Sequence, residues 1–171
     1  KRLQAQVLLD AINAVSESKE AFTGQATGTR AVQLPDDKFN SQSYFLTVFG
    51  RPEMDSACEC ERVADANLAQ SLHLINSDSI QSKLSNGQGR AALLAKASDR
   101  SDDERLTELY LEALSRKPRA EEIAAAKAHL TKKRTVAEKE PDVAKKGVIE
   151  QEAFEDILWA LLNTKEFLFN H

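Results

Sequence analysis

The sequence predicts an all-α fold: a compact domain of about six to eight helices with one long irregular, loop-rich insertion at residues 17–64. Apolar residues recur at helical spacing in several separate segments, and glycine and proline punctuate the insertion. The chain has 171 residues, of which 42% are hydrophobic and 29% charged. This size and composition suit one domain with a buried core, so residues 1–171 are predicted to form a single helical domain.

The first helix is predicted over residues 3–15 and ends before Ser16. Its apolar stripe consists of Val7, Leu8, Ala11, Ile12 and Val15. Gly24, Gly28 and Pro35 then indicate a loop over residues 21–37, in which residues 30–34 suit a short extended piece. Residues 41–49 read as a short helix that Gly50 stops.

The middle of the chain alternates irregular segments with short helices. Residues 53–64 show no helical period, and Asp65 is a suitable N-cap for a helix that runs to Ile75. Two weaker helices follow at residues 78–84 and 91–97, separated by a turn that contains two glycines.

The third part carries the clearest helical signals. Ser101 and Glu104 match a capping box at the start of an amphipathic helix, and a second helix follows over residues 120–134. Residues 135–147 are charged, contain a proline and indicate a solvated helix tail and linker. The shared hydrophobic core of these helices is predicted to contain Leu109, Leu114, Ile123, Phe154, Leu158 and Leu161.

The final helix is predicted over residues 150–163, with an extension towards Phe169. Phe154, Ile157, Leu158, Leu161 and Leu162 form one apolar stripe. Trp159 and Phe167 fall on roughly the opposite side, which a helix with one buried face would not allow. We therefore expect Trp159 and Phe167 to form an interaction surface, covered by another part of the parent protein or by a second copy of the chain.

Composition argues against several classes of partner. The net charge of -4 gives no basic surface for nucleic acid. No run approaches the roughly 18 apolar residues of a membrane span.

The chain starts at Lys1 without an initiator methionine, and we interpret it as the C-terminal fragment of a larger multidomain protein.

A cysteine pair is the first candidate for chemistry. Cys58, Cys60 and Glu61 supply ligand types that suit zinc or copper, and His73 in the next predicted helix could complete the set. A strong zinc signature would contain a second ligand pair. The alternative is structural: two buried cysteines or a strained bridge, with Glu61 and Arg62 in ion pairs. We expect both sulfurs to lie near Arg62 and His73.

Two further sets of polar residues are candidate binding residues. Gln70 and His73 lie away from the apolar stripe of their predicted helix, so they face solvent or a cleft, where a histidine could act as acid, base or ligand. The second set is arginine-rich and consists of Arg30, Gln33, Arg51 and Arg62. Converging guanidinium groups could bind sulfate, a carboxylate or an acidic sugar; otherwise they tether the irregular region to the helices.

Several strings together resemble a known family. They are RAVQLP at residues 30–35, FGRP at 49–52, CECER at 58–62, LAQSLHLIN at 68–76, LSRKP at 114–118 and DILWALLNTKEFLFNH at 156–171. In this order they resemble the C-terminal half of the planctomycete-specific domain of unknown function. The resemblance implies a parent protein that is exported or periplasmic and carries cytochrome c-like regions. It implies haem elsewhere in that protein, whereas this chain lacks Cys-x-x-Cys-His and is expected to hold no cofactor.

These observations predict a non-catalytic interaction or structural module of a multidomain exported protein. Its expected partners are the other domains of that protein or a second copy of the chain. The alternative is part of a redox, metal or hydrolytic site that missing N-terminal domains complete. A third option is a carbohydrate-binding domain, although aromatic residues, which stack on sugars, make up 6% of the chain.

Overall fold

The computed structural model describes residues 3–35, 43–49 and 77–169. Of these residues 68% are helical, in eight α-helices and one short 3-10 helix, and the described part contains no strand. The predicted all-α class is confirmed. In chain order the helices are α1 (Ala5–Ser16), the 3-10 helix (Ala31–Gln33), α2 (Tyr44–Val48), α3 (Asp78–Leu84), α4 (Arg90–Lys96), α5 (Asp102–Leu114), α6 (Ala120–Glu138), α7 (Val143–Leu162) and α8 (Lys165–Leu168).

Helix α7 is the centre of the described fold. It packs against α6 and α4 and also contacts α3, α5 and α8. Helix α1 lies against α2, the 3-10 helix, α3, α4 and α5. The two ends of the described chain meet where Leu3 N donates to Leu168 O at 3.1 Å. One continuous hydrophobic cluster joins these elements, so the described helices share a single core.

The predicted start of α5 is confirmed in detail. Ser101 Oγ accepts from Glu104 N at 3.3 Å, and the Glu104 carboxylate accepts from Ser101 N at 2.8 Å. This reciprocal pair satisfies two backbone donors that a helix start otherwise leaves unpaired.

The connection between α6 and α7 is shorter than the sequence predicted. Helix α6 continues to Glu138, and α7 begins at Val143 rather than near residue 150. Asp142 caps α7, because its Oδ1 accepts from Ala144 N at 2.9 Å. The charged residues taken for a linker therefore extend two helices into solvent, where helix propensity and a cap suffice without burial.

The placement of Phe167 corrects the expected continuation of the last helix. Helix α7 stops at Leu162, and Thr164 starts α8, with its Oγ1 accepting from Phe167 N at 3.2 Å. This break redirects the chain, so that Phe167 is 6% exposed and belongs to the core. Trp159 is half-buried against the core, and its indole N–H has no hydrogen-bond partner in the described part of the chain. Of the two residues predicted to form an interaction surface, Phe167 is therefore buried and Trp159 is partly exposed.

The core predicted for the C-terminal helices is largely confirmed. Leu109, Phe154, Leu158 and Leu161 are buried in the cluster. Leu114 packs against it while partly exposed. Ile123 is half-buried and lies outside the cluster, because its helix turns Ala126 and Leu130 inward instead.

The N-terminal segment departs from prediction in two places. In α1 the predicted stripe residues Leu8, Ile12 and Val15 are buried, together with Leu9, whereas Val7 is 38% exposed and lies outside the buried face. Residues 31–33 form a 3-10 turn rather than an extended piece. The predicted helix at residues 65–75 lies outside the described residues.

An ion-pair cluster joins α5, α6 and α7 on one side of the core. Arg105 is nearly buried, donates to Leu94 O at 3.0 Å and lies 5.0 Å from the Phe154 ring centroid. Arg134 forms a fork with Asp102 at 2.7 and 2.9 Å and contacts Glu150 at 2.6 Å. Arg105 contacts the same two carboxylates, so two cations and two anions cross-link three helices.

This cluster predicts a loss of stability in acid. The hydrogen bond from Arg134 lowers the pKa of Asp102 from 3.8 to about 2. A depressed folded-state pKa stabilises the fold above the unfolded pKa, and that stabilisation is lost as the pH falls from about 4 towards 2. We expect the free energy of unfolding, measured by denaturant titration, to fall across this window and to fall less steeply in Asp102→Asn. Equal slopes in both proteins would show that Asp102 does not contribute to acid sensitivity.

Candidate functional site

The structure tests the position of only some candidate residues. Arg51, Cys58, Cys60, Glu61, Arg62, Gln70 and His73 lie outside the described residues, and so does the predicted proximity of the cysteines to His73. Arg30 and Gln33 are described and lie at the 3-10 turn.

A buried carboxylate that the sequence did not single out holds the 3-10 turn to α1. Asp10 Oδ1 accepts from Ala31 N at 2.7 Å, and Oδ2 accepts from Val32 N at 3.1 Å. Arg30 Nε lies 3.5 Å from Asp10 Oδ2, and the Gln33 side chain accepts from Arg30 N at 2.9 Å. Tethering of the irregular region is thus carried mainly by Asp10, with Arg30 and Gln33 in support.

A polar pocket lies beside this tether, between α1 and the loop that follows it. Its volume is about 190 Å³, and its wall includes Asn13, Ser18, Lys19 and Thr29 as well as Arg30. The pocket is below the roughly 300–1,000 Å³ of sites for drug-sized ligands, so a small polar molecule is the appropriate size of occupant.

A larger groove, of about 320 Å³, runs between α6 and α7 and ends at Tyr110 of α5. Its apolar floor consists of Ala125, Ala126, Ile157, Ala160 and Leu161. Polar side chains stand around this floor: Tyr110, Glu122, His129 and Asp156. We call this feature the α6–α7 groove. The groove exists because the alanine side chains that α6 and α7 present to it are small.

At one end of the α6–α7 groove, three polar side chains meet. Asp156 Oδ2 is 3.0 Å from His129 Nε2 and 2.9 Å from Lys133 Nζ. Lys133 also lies 3.6 Å from the Glu152 carboxylate. The hydrogen bond to Asp156 raises the pKa of Lys133, which stays charged. Asp156 and Glu152 share the one ammonium of Lys133, so these two carboxylates exceed it by one formal negative charge.

At the other end, the carboxylate of Glu122 is already engaged within the chain. Arg116 donates to both of its oxygens at 2.8 and 2.7 Å, and the same guanidinium forks onto Glu166 at 2.6 and 2.8 Å. The hydrogen bonds from Arg116 lower the pKa of Glu122 to about 2. Arg116 also lies 5.9 Å from the Tyr110 ring centroid. This end of the groove is therefore fixed in position.

The polar side chains of the α6–α7 groove include a histidine paired with a carboxylate. His129 and Asp156 supply a base and a carboxylate that orients it, two of the three parts of a hydrolytic triad. The third part of such a triad is a nucleophilic hydroxyl. Tyr110 is the lining residue that carries a hydroxyl, and burial raises the pKa of its phenol. Tyr110 stays protonated at neutral pH and can donate a hydrogen bond, but it is no activated nucleophile.

The described ranges contain neither a cluster of metal ligands nor a membrane-spanning helix. No three histidine, cysteine, aspartate or glutamate side chains there are grouped as a metal site requires. No helix in those ranges is long and apolar enough to cross a membrane.

Comparison with protein families gives one match. The model of PSD1, a protein of unknown function (DUF1553), matches residues 1–130. The chain belongs to the PSD1 family. The PSD1 match contains α1, the polar pocket and the α6 side of the groove, and it stops before α7 with Asp156. Neither the curated proteins nor the solved structures give a match.

Proposed function

We propose that this PSD1 chain is a non-catalytic interaction module whose α6–α7 groove binds a basic side chain of a partner protein. The single observation that carries the proposal is the combination of an apolar floor with surplus negative charge at the Asp156 end. A parent protein that is exported and has cytochrome c-like regions, as the sequence resemblance implies, is part of the same proposal and would supply the partner.

The proposed occupant is a lysine or arginine that projects from an otherwise apolar segment. Long basic side chains bury their methylene stems on apolar surface while the charged head stays at the edge. Here the stem would lie on Ala126, Ile157 and Ala160, and the head would face Asp156. Oδ1 of Asp156 has no hydrogen-bond partner among the described residues, so it supplies a free acceptor.

The polar groups around the floor support recognition because they are positioned before binding. His129 and Lys133 hold Asp156 from α6, although Asp156 belongs to α7. A partner therefore loses little affinity to reorganisation of the site, which is the usual benefit of preorganisation. An isolated anionic partner side chain would instead face repulsion from Asp156 and Glu152.

Filling the groove should abolish this binding. Ala160→Trp places a large side chain on the floor, and we expect the affinity for n-butylammonium, a probe of the lysine side chain, to fall at least about tenfold, since the apolar contact of the stem is lost. The measurement is an NMR titration of the isotope-labelled chain. The matched control is Ala124→Trp, because Ala124 is exposed on α6 and does not line the groove.

Two outcomes would contradict the proposal. One is an affinity for n-butylammonium that Ala160→Trp leaves unchanged while both variants remain folded. The other is a dimer in sedimentation of the wild type that Ala160→Trp dissociates, because a second copy of the chain would then be the occupant of the groove.

A further inference from the structure

We infer that the polar pocket beside α1 is a separate site for a small hydroxylated carboxylate, such as a uronic acid. The inference is independent of the α6–α7 groove, since the two sites share no residue. Several side chains of the pocket keep hydrogen-bond donors or acceptors that they do not use in contacts with other described residues.

The two acids of the pocket are already neutralised. Asp10 accepts two backbone N–H groups and faces Arg30, so both of its oxygens are used. The Glu20 carboxylate lies 3.1 Å from the ammonium of Lys83, a buried residue that does not line the pocket. Neither carboxylate would therefore repel an anionic ligand with a full charge.

The cations of the pocket retain donors. Lys19 is exposed and has no ion-pair partner in the described part of the chain. Arg30 contacts Asp10 through Nε and its side chain is 66% exposed, so its terminal NH₂ groups are not taken up by another residue of the described part of the chain. Together with Lys83, these cations exceed the two carboxylates by one positive charge. A planar guanidinium next to an ammonium favours a carboxylate, which can accept from both.

The neutral groups of the pocket favour a ligand with hydroxyl groups. Asn13 Oδ1 accepts from Ser18 Oγ at 3.3 Å, which leaves the Asn13 amide N–H₂ as a donor. Thr29 lies on the same wall; its hydroxyl donates to Ala26 O at 2.8 Å, so its oxygen is left as an acceptor for a ligand hydroxyl. The volume of about 190 Å³ far exceeds the roughly 10–15 Å³ that one water molecule needs, so several heavy atoms fit.

The test is an NMR titration of the full chain with sodium glucuronate, with glucose as the uncharged control. We expect saturable shifts at amides of residues 10–31 with glucuronate and none with glucose at the same concentration. Arg30→Gln and Lys19→Gln should each weaken glucuronate binding at least about tenfold, because each removes a charged donor. Lys132→Gln, an exposed lysine on α6, is the matched control and should bind as the wild type does.

Arg30→Gln removes an ion pair with Asp10 and could therefore disturb the fold as well as the site. Lys19→Gln is the second variant because the Lys19 side chain has no ion-pair partner to lose among the described residues. The inference is overturned if glucuronate gives no saturable shift in this region. It is also overturned if glucose binds equally well, or if both substitutions leave the affinity unchanged. Failure of this experiment would leave the proposed groove function intact, and failure at the groove would leave this site intact.

Discussion

Replacing Leu158 with alanine is expected to lower the free energy of unfolding by roughly 2–5 kcal/mol, the usual range for a buried leucine. Leu158 is fully buried in the C-terminal half of α7, the helix that contacts α3, α4, α5, α6 and α8. Its removal would leave a cavity that several helices border and that none can fill alone. Because α7 joins most of the described core, this position should be among the most sensitive of the chain.

The measurement for Leu158→Ala is equilibrium unfolding in urea, followed by circular dichroism. Val143→Ala is the matched control on the same helix, because Val143 is 79% exposed and should change stability little. A Leu158→Ala protein as stable as the control would mean that α7 is not the centre of the core.

The second large effect is expected from Asp10→Ala. This substitution removes the acceptor for the buried Ala31 N–H and the part-buried Val32 N–H, and leaving a buried N–H unpaired costs roughly 1–3 kcal/mol. We therefore expect a loss comparable to that of a core leucine, together with faster hydrogen exchange at both amides, since the 3-10 turn loses its attachment to α1.

Asp10→Asn is the matched variant for this test. Its amide keeps one oxygen acceptor and turns a donor towards the second N–H, so an intermediate loss of stability is expected. Urea titration gives the stability, and exchange followed by NMR gives the local opening. If Asp10→Ala leaves protection of Ala31 and Val32 unchanged, the loop is held by other contacts.

Local signals in the sequence account for most of the helices. The Ser101 capping box and the stripe of α5 are short-range patterns, and both are confirmed. Errors arose where tertiary context decides. Thr164 starts α8 through a side-chain N-cap that a periodic apolar pattern does not contain, and this new helix places Phe167 in the core.

The candidate site was less predictable than the fold. His129 and Asp156 are 27 positions apart and become neighbours only because α6 and α7 pack together. Neither residue belongs to a local motif, and the alanines of the floor look like ordinary helix residues. Asp10 was missed for a related reason, because a lone acid in an amphipathic helix indicates a solvated face unless its backbone partners, 21 and 22 positions away, are known.

Binding of a basic side chain in the α6–α7 groove is tested by comparing a cationic probe with an anionic probe of similar size. The isotope-labelled wild-type chain is titrated with n-butylammonium and, separately, with n-butyrate, which has a similar apolar stem and the opposite charge. We predict saturable NMR shifts around His129, Asp156 and Ala160 with the cation and much weaker shifts with the anion. Equal shifts with both ions, or cation shifts confined to other acidic surfaces, would contradict the assignment of the groove to a basic side chain.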